Sequence, residues 1–506
     1  MKLKVKSIPL RLEHSSVMMN PEDAAELGLI PGDRVKITYS KKFCVSDVHI
    51  AIEMVERGEV GLCKATGPCE IQIPDGVEVD VIPVSKPKSV EYIKKRMRGE
   101  RLTKDEIYSI IRDITVNMLT EVELTAFVMT DYLLEVDFNE IEWLTRAMIE
   151  TGEVLTFEKG IVVDKHSIGG VPGNKISLLV VPIIAASGLL IPKTASRAIT
   201  SASGTADTME VLADVNLGID EIREITEVVG GVIAWGGATN IAPADDKIIR
   251  VEYPLSIDPK PQLLASVMAK KGAIGAKHIV IDIPVGEGSK VPDIEHGREL
   301  SNDFAELGRR LGLNVSCVMT YGGQPVGRTI GPALEAWEGL RALENQRAPK
   351  SLIEKAIGVA GVLLEMAGKT RNGAEYAKNI LESGKAFQKF REIVEAQGGE
   401  PEIKSKDIPL GDKVYEVRAP IDGAVSIVDN HRIVKVARAA GAPKDKGAGI
   451  MLYKKGGHHV KAGDILFKIY GEKEWKLDQA IELANIEPPV IVSGMILERF
   501  PSYKII

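Results

Sequence analysis

The feature that most constrains the fold is an alternation of short apolar runs with helical patterns through the middle of the chain. The apolar runs fall at 161–163, 233–235, 279–282 and 315–318, and segments with helical periodicity separate them. Strands that alternate with helices form a largely parallel sheet with helices packed on its faces. This part of the chain is therefore predicted to be an α/β domain.

The longest apolar stretch, 176–192, follows the first of these runs. It contains Ser177, Pro182, Ser187 and Gly188, and its length is marginal for a membrane span. A buried helix of the α/β domain is the better interpretation.

The segments on either side have different patterns. Alternating runs such as 35–39, which follow the turn 31–33, predict a β-barrel-like domain. Within it, residues 20–23 start a short helical pattern at 24–29. Helical periodicity over 89–151, with a capped start at 102–106, predicts a helical domain. Towards the C-terminus, glycines separate short apolar runs, which is typical of an α+β domain. The expected domains are 1–86, 87–155 together with 246–276, 156–410, and 411–506.

Composition excludes several classes of function. The chain carries 64 basic and 71 acidic residues, a net charge of −7, which disfavours binding to nucleic acid polymers. Its 4 cysteines match no zinc or disulfide spacing and indicate a reducing cytoplasm. The N-terminus alternates like a strand and does not resemble a signal peptide. We therefore expect a cytoplasmic protein that is not membrane-bound, and the abundance of Glu, Lys and Ile with few Gln indicates a heat-adapted source.

The segment 164–175 joins the first predicted strand to the apolar helix. Gly169 and Gly170 let backbone N–H groups approach a ligand, and a helix N-terminus attracts anions. Lys165 and Ser167 add a charge and a hydroxyl. This chemistry suits a phosphate, although the Gly-Lys-Ser/Thr ending of a P-loop is absent. A plain turn between strand and helix is an equally good interpretation.

A second polar segment, 195–210, lies before a predicted helix and is rich in Ser and Thr. Arg197 could clamp a second anion with its fork-shaped guanidinium. Asp207 and Glu210 have the spacing of a capping box, so a capped loop is the alternative interpretation.

Two further residues could take part in chemistry. Asp258 could act as a general acid, but with Pro259 after it the same residue would also make a good helix N-cap. Lys290 follows Gly286 and Gly288, which could place its ammonium against a phosphate or could simply form a surface loop. His458 and His459 have no carboxylate or cysteine at ligand spacing, so we expect no metal site and no cofactor.

Taken in order, these segments resemble the thymidine phosphorylase family, also called the pyrimidine nucleoside phosphorylases. Residues 165–170 resemble the phosphate loop of that family, 196–207 resemble its signature, and 324–335 resemble a further family segment. The C-terminal run 419–470 resembles the last domain of the family. The resemblance covers about residues 87–490.

Departures from the family pattern are informative. Ser256 stands where the family has an Arg that reads a pyrimidine, Ala195 replaces the first Ser of the signature, and 172–175 departs from the usual end of the phosphate loop. The extra N-terminal 85 residues resemble a double-psi β-barrel. Together these features resemble a subgroup of the family, the archaeal AMP phosphorylases. That resemblance implies conversion of AMP, CMP or UMP with phosphate into free base and ribose 1,5-bisphosphate, which feeds ribulose bisphosphate production.

The resemblance also implies roles for single residues and a homo-oligomer of at least two chains. Asp258 would protonate the leaving base, and Lys165, Ser167 and Gly169 would bind the attacking phosphate. The implied substrate-binding residues are Gly170, Ser196, Arg197, Ala198, Ile199, Thr200, Ser201, Thr205, Ser266 and Lys290. Two alternatives stay open: a nucleoside phosphorylase that acts on thymidine or uridine, and a nucleotide-binding module without enzymatic activity, against which the lack of a Walker sequence counts.

Overall fold

The computed structural model describes residues 1–12, 15–40, 42–65, 73–198 and 201–494. They form two compact units. The first unit is Met1–Val154 with Gly237–Ala273, and the second is Leu155–Gly236 with Ile274–Ile506.

The strands and helices are numbered in chain order. The strands are β1 (Lys2–Leu12), β2 (Ser16–Met19), β3 (Arg34–Tyr39), β4 (Lys42–Ile50), β5 (Glu59–Ala65), β6 (Glu78–Pro83), β7 (Val163–Ser167), β8 (Ile191–Ala195), β9 (Gly231–Trp235), β10 (His278–Val285), β11 (Asn314–Tyr321), β12 (Thr329–Ile330), β13 (Lys413–Arg418), β14 (Gly423–Val428), β15 (Gly449–Leu452), β16 (His459–Val460), β17 (Ile465–Gly471) and β18 (Val490–Ser493). The helices are α1 (Pro21–Glu26), α2 (Ser89–Met97), α3 (Lys104–Thr115), α4 (Glu121–Leu133), α5 (Phe138–Glu150), α6 (Ser177–Ala186), α7 (Thr205–Met209), α8 (Ile219–Val229), α9 (Pro243–Leu255), α10 (Lys260–Ala273), α11 (Ile294–Leu311), α12 (Pro332–Leu343), α13 (Lys350–Met366), α14 (Gly373–Glu382), α15 (Lys385–Ala396), α16 (Asn430–Ala439) and α17 (Glu474–Ile486).

The first unit begins with a closed barrel in the strand order β1-β5-β2-β4-β3-β6. Strands β1 and β5 pair in parallel, as do β2 and β4, and the other neighbours are antiparallel. Alternate side chains such as Val35 and Ile37 are fully buried inside the barrel. The barrel-like prediction and the strand at 35–39 are confirmed. The short helix starts within 20–23 as predicted, with Asn20 as N-cap and Pro21 as its first residue, but it ends at Glu26 and not at 29, because Gly28 follows at φ +69°.

The rest of the first unit is helical and consists of α2 to α5 with α9 and α10. The predicted start at 102–106 is confirmed, since Thr103 and Glu106 form a reciprocal capping box at the start of α3. Helices α5 and α10 pack against each other, and so do α3 and α5. The helical domain predicted from periodicity is therefore present.

The second unit is built on parallel strands. Strands β7, β10 and β11 form one parallel sheet with β10 in the middle, and β8 pairs in parallel with β9. A parallel bridge between Val162 and Leu190 places β7 beside β8. The strands thus lie in the order β9-β8-β7-β10-β11 and all run in the same direction, as the alternation of strands and helices predicts.

Two boundaries differ from the expectation. The strand predicted at 161–163 is a strand at Val163–Ser167, so Lys165 and Ser167 lie on β7 itself and the glycine loop begins after them. The apolar stretch 176–192 does form a buried helix, but α6 ends at Ala186 and the stretch continues into β8. Of the helices in the described residues, none has the length and apolarity needed to cross a membrane.

The C-terminal part of the second unit is α+β. Strands β12, β15, β17 and β13 form one antiparallel sheet, and β16, β14 and β18 form another. Helices α16 and α17 pack together over buried residues such as Ile433 and Val436. The expected α+β character of this region is confirmed, and the exact domain boundaries stay predictions.

Candidate active site

The polar motifs of the second unit leave the same edge of its parallel sheet. Segment 168–175 follows β7, segment 196–204 follows β8, and segment 286–290 follows β10. Because these strands are parallel neighbours, their carboxyl ends meet at one edge. Ligands of parallel α/β sheets bind at this edge, so three of the motifs proposed from the sequence are brought to one place.

The loop after β7 combines a buried cation with open backbone. Lys165 is only 2% exposed, and its Nζ lies 3.4 Å from Oγ of the half-buried Ser167. Gly169 and Gly170 have φ values of +91° and +82°, which favour glycine. A Cβ on Gly170 would lie 2.7 Å from the backbone nitrogen of Lys290, so the loops after β7 and β10 touch. The side chain of Lys290 is exposed.

Sequence reasoning missed the residue that organises this loop, Asp282. Its carboxylate is completely buried and accepts hydrogen bonds of 2.6 Å from both Ser167 Oγ and Thr320 Oγ1. Lys355 Nζ lies 2.9 Å away, and Asn174 Nδ2 donates at 3.4 Å. The signal was available in the sequence, since an aspartate ends the apolar run 279–282.

Asp282 is held in its ionised form. Burial alone would raise the pKa of Asp282, but the Lys355 ammonium and the hydroxyls of Ser167 and Thr320 outweigh it and lower the pKa below its usual value. The carboxylate is therefore an acceptor only.

Lys175 anchors the C-terminal end of the loop after β7. This fully buried lysine pairs with Glu338 at 2.7 Å and donates to the carbonyls of Val326 and Thr329. Gly173, at φ +73°, lets the backbones approach, because a Cβ there would lie 2.6 Å from the Val326 oxygen. The departure from the family pattern at 172–175 thus joins the loop to the 324–335 segment.

In the loop after β8, the Arg197 guanidinium is engaged by carboxylates of the same chain. It pairs through both terminal nitrogens with Glu210, approaches Asp207 at 3.5 Å and lies 4.8 Å from the Trp235 ring centroid. Hydrogen bonds from Arg197 lower the pKa of Glu210 to about 2, and the contact with Lys446 contributes less. Burial acts in the opposite direction and only partly offsets them. In this arrangement Arg197 links the loop after β8 to Glu210 and Asp207. Its predicted role in clamping an anion stays a prediction.

The capped-loop interpretation of this segment needs a correction. The carboxylate of Asp207 accepts from the backbone of Ala198 at 2.6 Å and from that of the N-cap residue Gly204 at 2.9 Å, but Gly204 has no side chain to return the bond, so only half of a capping box is present. Glu210 pairs with Arg197 and does not take part in it. A Cβ on Gly204 would lie 2.4 Å from the Ser196 oxygen, which shows how tightly the loop folds on itself.

The remaining predicted residues of this loop fall into two groups. Ser196 is exposed, and Ser201 and Thr205 are half-buried, with Thr205 as the first residue of α7. The predicted residues Ile199 and Thr200 lie outside the described residues.

In the first unit, Asp258 and Ser266 belong to the start and middle of one helical segment. Asp258 is exposed and precedes α10 by two residues, and Ser266 is half-buried on α10. Gln262, one turn after Asp258, donates at 2.6 Å to the buried Asp131, which fixes the first turn of α10. Burial raises the pKa of Asp131 to about 7, although Arg96 and Gln262 act against it.

Metal ligands do not gather anywhere in the part of the chain that the structure describes. No group of three or more His, Cys, Asp or Glu side chains there could hold a metal ion.

Comparison with known proteins agrees with this architecture. The model of the helical bundle domain of a glycosyl transferase family matches residues 90–152, and that of the a/b domain of the same family matches 159–387. The model of the pyrimidine nucleoside phosphorylase C-terminal domain matches 424–488. Anthranilate phosphoribosyltransferase from Thermus thermophilus has a similar fold, with a TM-score of 0.52 and 21% identity over 61% of this chain and 99% of that one.

Relatives are similar along the whole chain. AMP phosphorylase 1 of Archaeoglobus fulgidus is 64% identical over 98% of this chain and 98% of its own length. AMP phosphorylase of Methanocella arvoryzae is 52% identical over 99% of both chains. Fold and site define the class as a glycosyl transferase with a helical bundle, an α/β domain and a pyrimidine nucleoside phosphorylase C-terminal domain. Within that class, the chain belongs to the AMP phosphorylase family.

Proposed function

We propose that this protein splits AMP with inorganic phosphate and releases adenine and ribose 1,5-bisphosphate. The observation that carries the proposal is the group of Lys165, Ser167, Gly169 and Gly170 at the carboxyl edge of the parallel sheet, in a chain that is 64% identical to an AMP phosphorylase. A buried lysine, a hydroxyl and glycines with open N–H groups suit a phosphate nucleophile.

The chemistry requires phosphate to attack one face of the anomeric carbon while the base leaves from the other. A phosphate oxygen forms the new bond to C1′ of the ribose, the bond from C1′ to the base nitrogen breaks, and its electron pair goes to the base. The transition state resembles an oxocarbenium ion, so a positioned phosphate dianion stabilises it. Asp258 is the proposed proton donor to the leaving base, on the resemblance to the family.

The phosphate already present on the sugar needs its own binding group. The segment 196–205 is the proposed place, with hydroxyls of Ser196, Ser201 and Thr205 as donors and Arg197 as a cation that Glu210 holds in position. Ser266 and Lys290 complete the proposed substrate-binding residues. CMP and UMP are proposed as further substrates, because this anion site would bind the part that all three nucleotides share.

The decisive experiment incubates the protein with AMP in the presence and absence of phosphate. Phosphate-dependent release of adenine together with a doubly phosphorylated pentose is expected. Adenosine, thymidine and uridine serve as controls, and a preference for any of these unphosphorylated nucleosides over AMP would contradict the proposal. We propose that the ribose 1,5-bisphosphate product feeds a route from nucleotides to ribulose bisphosphate.

The general-acid role of Asp258 has its own test. We expect Asp258→Asn to lose most of the turnover, since one general acid contributes about 100-fold or more to the rate, while AMP still binds. Calorimetry measures AMP binding, and the matched control is Lys260→Gln, an exposed residue two positions further on. Wild-type turnover in Asp258→Asn would remove Asp258 from the mechanism.

Further properties are proposed alongside the reaction. A double-psi topology of the N-terminal barrel is supported by its two parallel pairs, β1 with β5 and β2 with β4. A cytoplasmic location, a homo-oligomer of at least two chains and a reaction without cofactor are proposed on the cysteine pattern and the family resemblance. Light scattering tests the oligomeric state. To test the absence of a metal cofactor, the protein is treated with a chelator, and we expect the treated protein to keep its full rate.

A further inference from the structure

The site that the proposed function assigns to phosphate contains a hydroxyl whose proton is already committed. Ser167 Oγ lies 2.6 Å from Oδ2 of Asp282. An ionised carboxylate has no proton to give, so Ser167 must be the donor in this bond. Its oxygen is left with lone pairs only, one of which faces Lys165 Nζ at 3.4 Å.

The surroundings of Asp282 keep its carboxylate in this acceptor role. Oδ1 accepts from Thr320 Oγ1 at 2.6 Å, and Oδ2 faces Lys355 Nζ at 2.9 Å. Asp282 is completely buried, and the side chain of Lys355 is 7% exposed, so the ion pair is shielded from water. A neutral Asp282 would leave the Lys355 ammonium buried without its counter-charge.

A ligand that meets Ser167 therefore meets an acceptor. Inorganic phosphate at neutral pH keeps at least one P–OH group and can donate to that oxygen. Sulfate has the same shape and a similar charge, but it is fully ionised and has no proton to donate. Its oxygens would face the Ser167 lone pair, and a site built to accept from a ligand hydroxyl rejects an analogue that lacks it.

We propose that Asp282 is a positioning residue that sets the anion specificity of the loop: by holding the Ser167 proton, it makes Ser167 Oγ the acceptor for the P–OH group of phosphate and disfavours sulfate. The proposal rests on the proposed function only in assigning inorganic phosphate to this loop. It adds a reason for choosing phosphate among tetrahedral anions, and it predicts that arsenate, which also carries a hydroxyl at neutral pH, is accepted.

The test compares the binding of inorganic phosphate and of sulfate to the full chain by calorimetry at matched ionic strength. This measurement needs no turnover, so its outcome is independent of whether AMP is the nucleotide substrate. We expect wild-type protein to bind phosphate at least about tenfold more tightly than sulfate, because phosphate gains one hydrogen bond where sulfate would leave the Ser167 oxygen without a donor. Equal affinities would overturn the proposal.

Two variants separate specificity from folding. Ser167→Ala removes the acceptor from a half-buried position, and its phosphate-to-sulfate ratio is expected to fall several-fold. In Asp282→Asn, the amide can donate to Ser167 and free its proton, so sulfate binding is expected to improve relative to phosphate. If Asp282→Asn fails to fold, the Ser167→Ala ratio alone decides, and a ratio unchanged from wild type would contradict the proposal.

The matched control is Thr320→Val. It removes the other hydroxyl bound to Asp282 and leaves the Ser167 bond in place. The phosphate-to-sulfate ratio of this variant is expected to stay at the wild-type value. A purely structural role of Asp282 would instead shift phosphate and sulfate affinity by the same factor in every variant.

Discussion

The loops after β7 and β8 leave the same edge of one parallel sheet, yet they use their cations in different ways. Behind the first loop, the buried Lys165 lies beside a hydroxyl that is oriented by Asp282, whose charge is balanced separately by Lys355. In the second loop, Arg197 is paired with Glu210. Similar residue types in a sequence therefore do not tell which partners a cation takes within the protein.

The largest expected effect separates the cations of the two loops. Lys165→Met should lower phosphate-dependent kcat/KM by about 100-fold or more, because it removes a donor from the attacking phosphate. Arg197→Met should lower it by less, roughly tenfold at most, because the charge that Arg197 brings to the proposed 5′-phosphate site is already partly balanced by Glu210. Steady-state kinetics with phosphate and AMP varied in turn measures both losses, and equal losses would break the distinction between the loops.

The glycines of the two loops give the second comparison. Gly204→Ala should destabilise the protein by about 1–3 kcal/mol, because a Cβ there would lie 2.4 Å from the Ser196 oxygen. A Cβ on Gly169 would have no atom within 4 Å. Gly169→Ala should therefore lower the free energy of unfolding by only about 1 kcal/mol, the cost of placing alanine at a positive φ. Denaturant unfolding measures both changes, and a larger loss for Gly169→Ala would contradict the packing argument.

A smaller effect is expected at the Arg197 pair itself. Arg197→Met should lower the free energy of unfolding by about 1 kcal/mol, because the pair with Glu210 is only partly shielded from solvent. Arg197→Lys keeps the charge but lacks the two-pronged geometry and should recover only part of this loss. The same unfolding experiment compares the two variants, and a stability equal to wild type in Arg197→Met would show that the pair with Glu210 does not stabilise the fold.

The smallest effect is a pH dependence. The folded pKa of Glu210 is about 2, below its unfolded value of about 4.3, so its ionisation stabilises the fold above pH 4.3 and this contribution disappears as the pH falls towards 2. The stability difference between wild type and Glu210→Gln should therefore shrink between about pH 5 and pH 3.

The matched control for this pH effect is Glu306→Gln. Arg309 and Arg310 also lower the pKa of Glu306 to about 2, but these side chains lie at the surface of α11. Added salt should weaken the Glu306 contribution more than that of Glu210. The opposite order would show that the Glu210 pair is not shielded from solvent by its loop.

Much of the fold follows from local patterns, and the errors have physical causes. The apolar runs located β9, β10 and β11, because buried parallel strands are continuous in hydrophobic residues. The run at 161–163 misplaced β7, since the strand continues through the polar Lys165 and Ser167. Hydrophobicity does not report a strand whose last residues are polar.

The site was less predictable than the fold. Glycine, lysine and hydroxyl residues could be found by their spacing along the chain. The partners of Asp282 come from positions 167, 174, 320 and 355, and no local pattern connects them. The pairing of Arg197 with Glu210 likewise depends on how the loop folds back towards α7.

The most direct test of the account follows the oxygen atoms of the reaction. AMP is incubated with the protein and phosphate labelled with heavy oxygen, and mass spectrometry determines the oxygen bound to C1 of the sugar product. The account predicts that this oxygen comes from phosphate and that the product carries two phosphate groups. An oxygen derived from water would mean hydrolysis, and would contradict the claim that the loop after β7 delivers phosphate as the nucleophile.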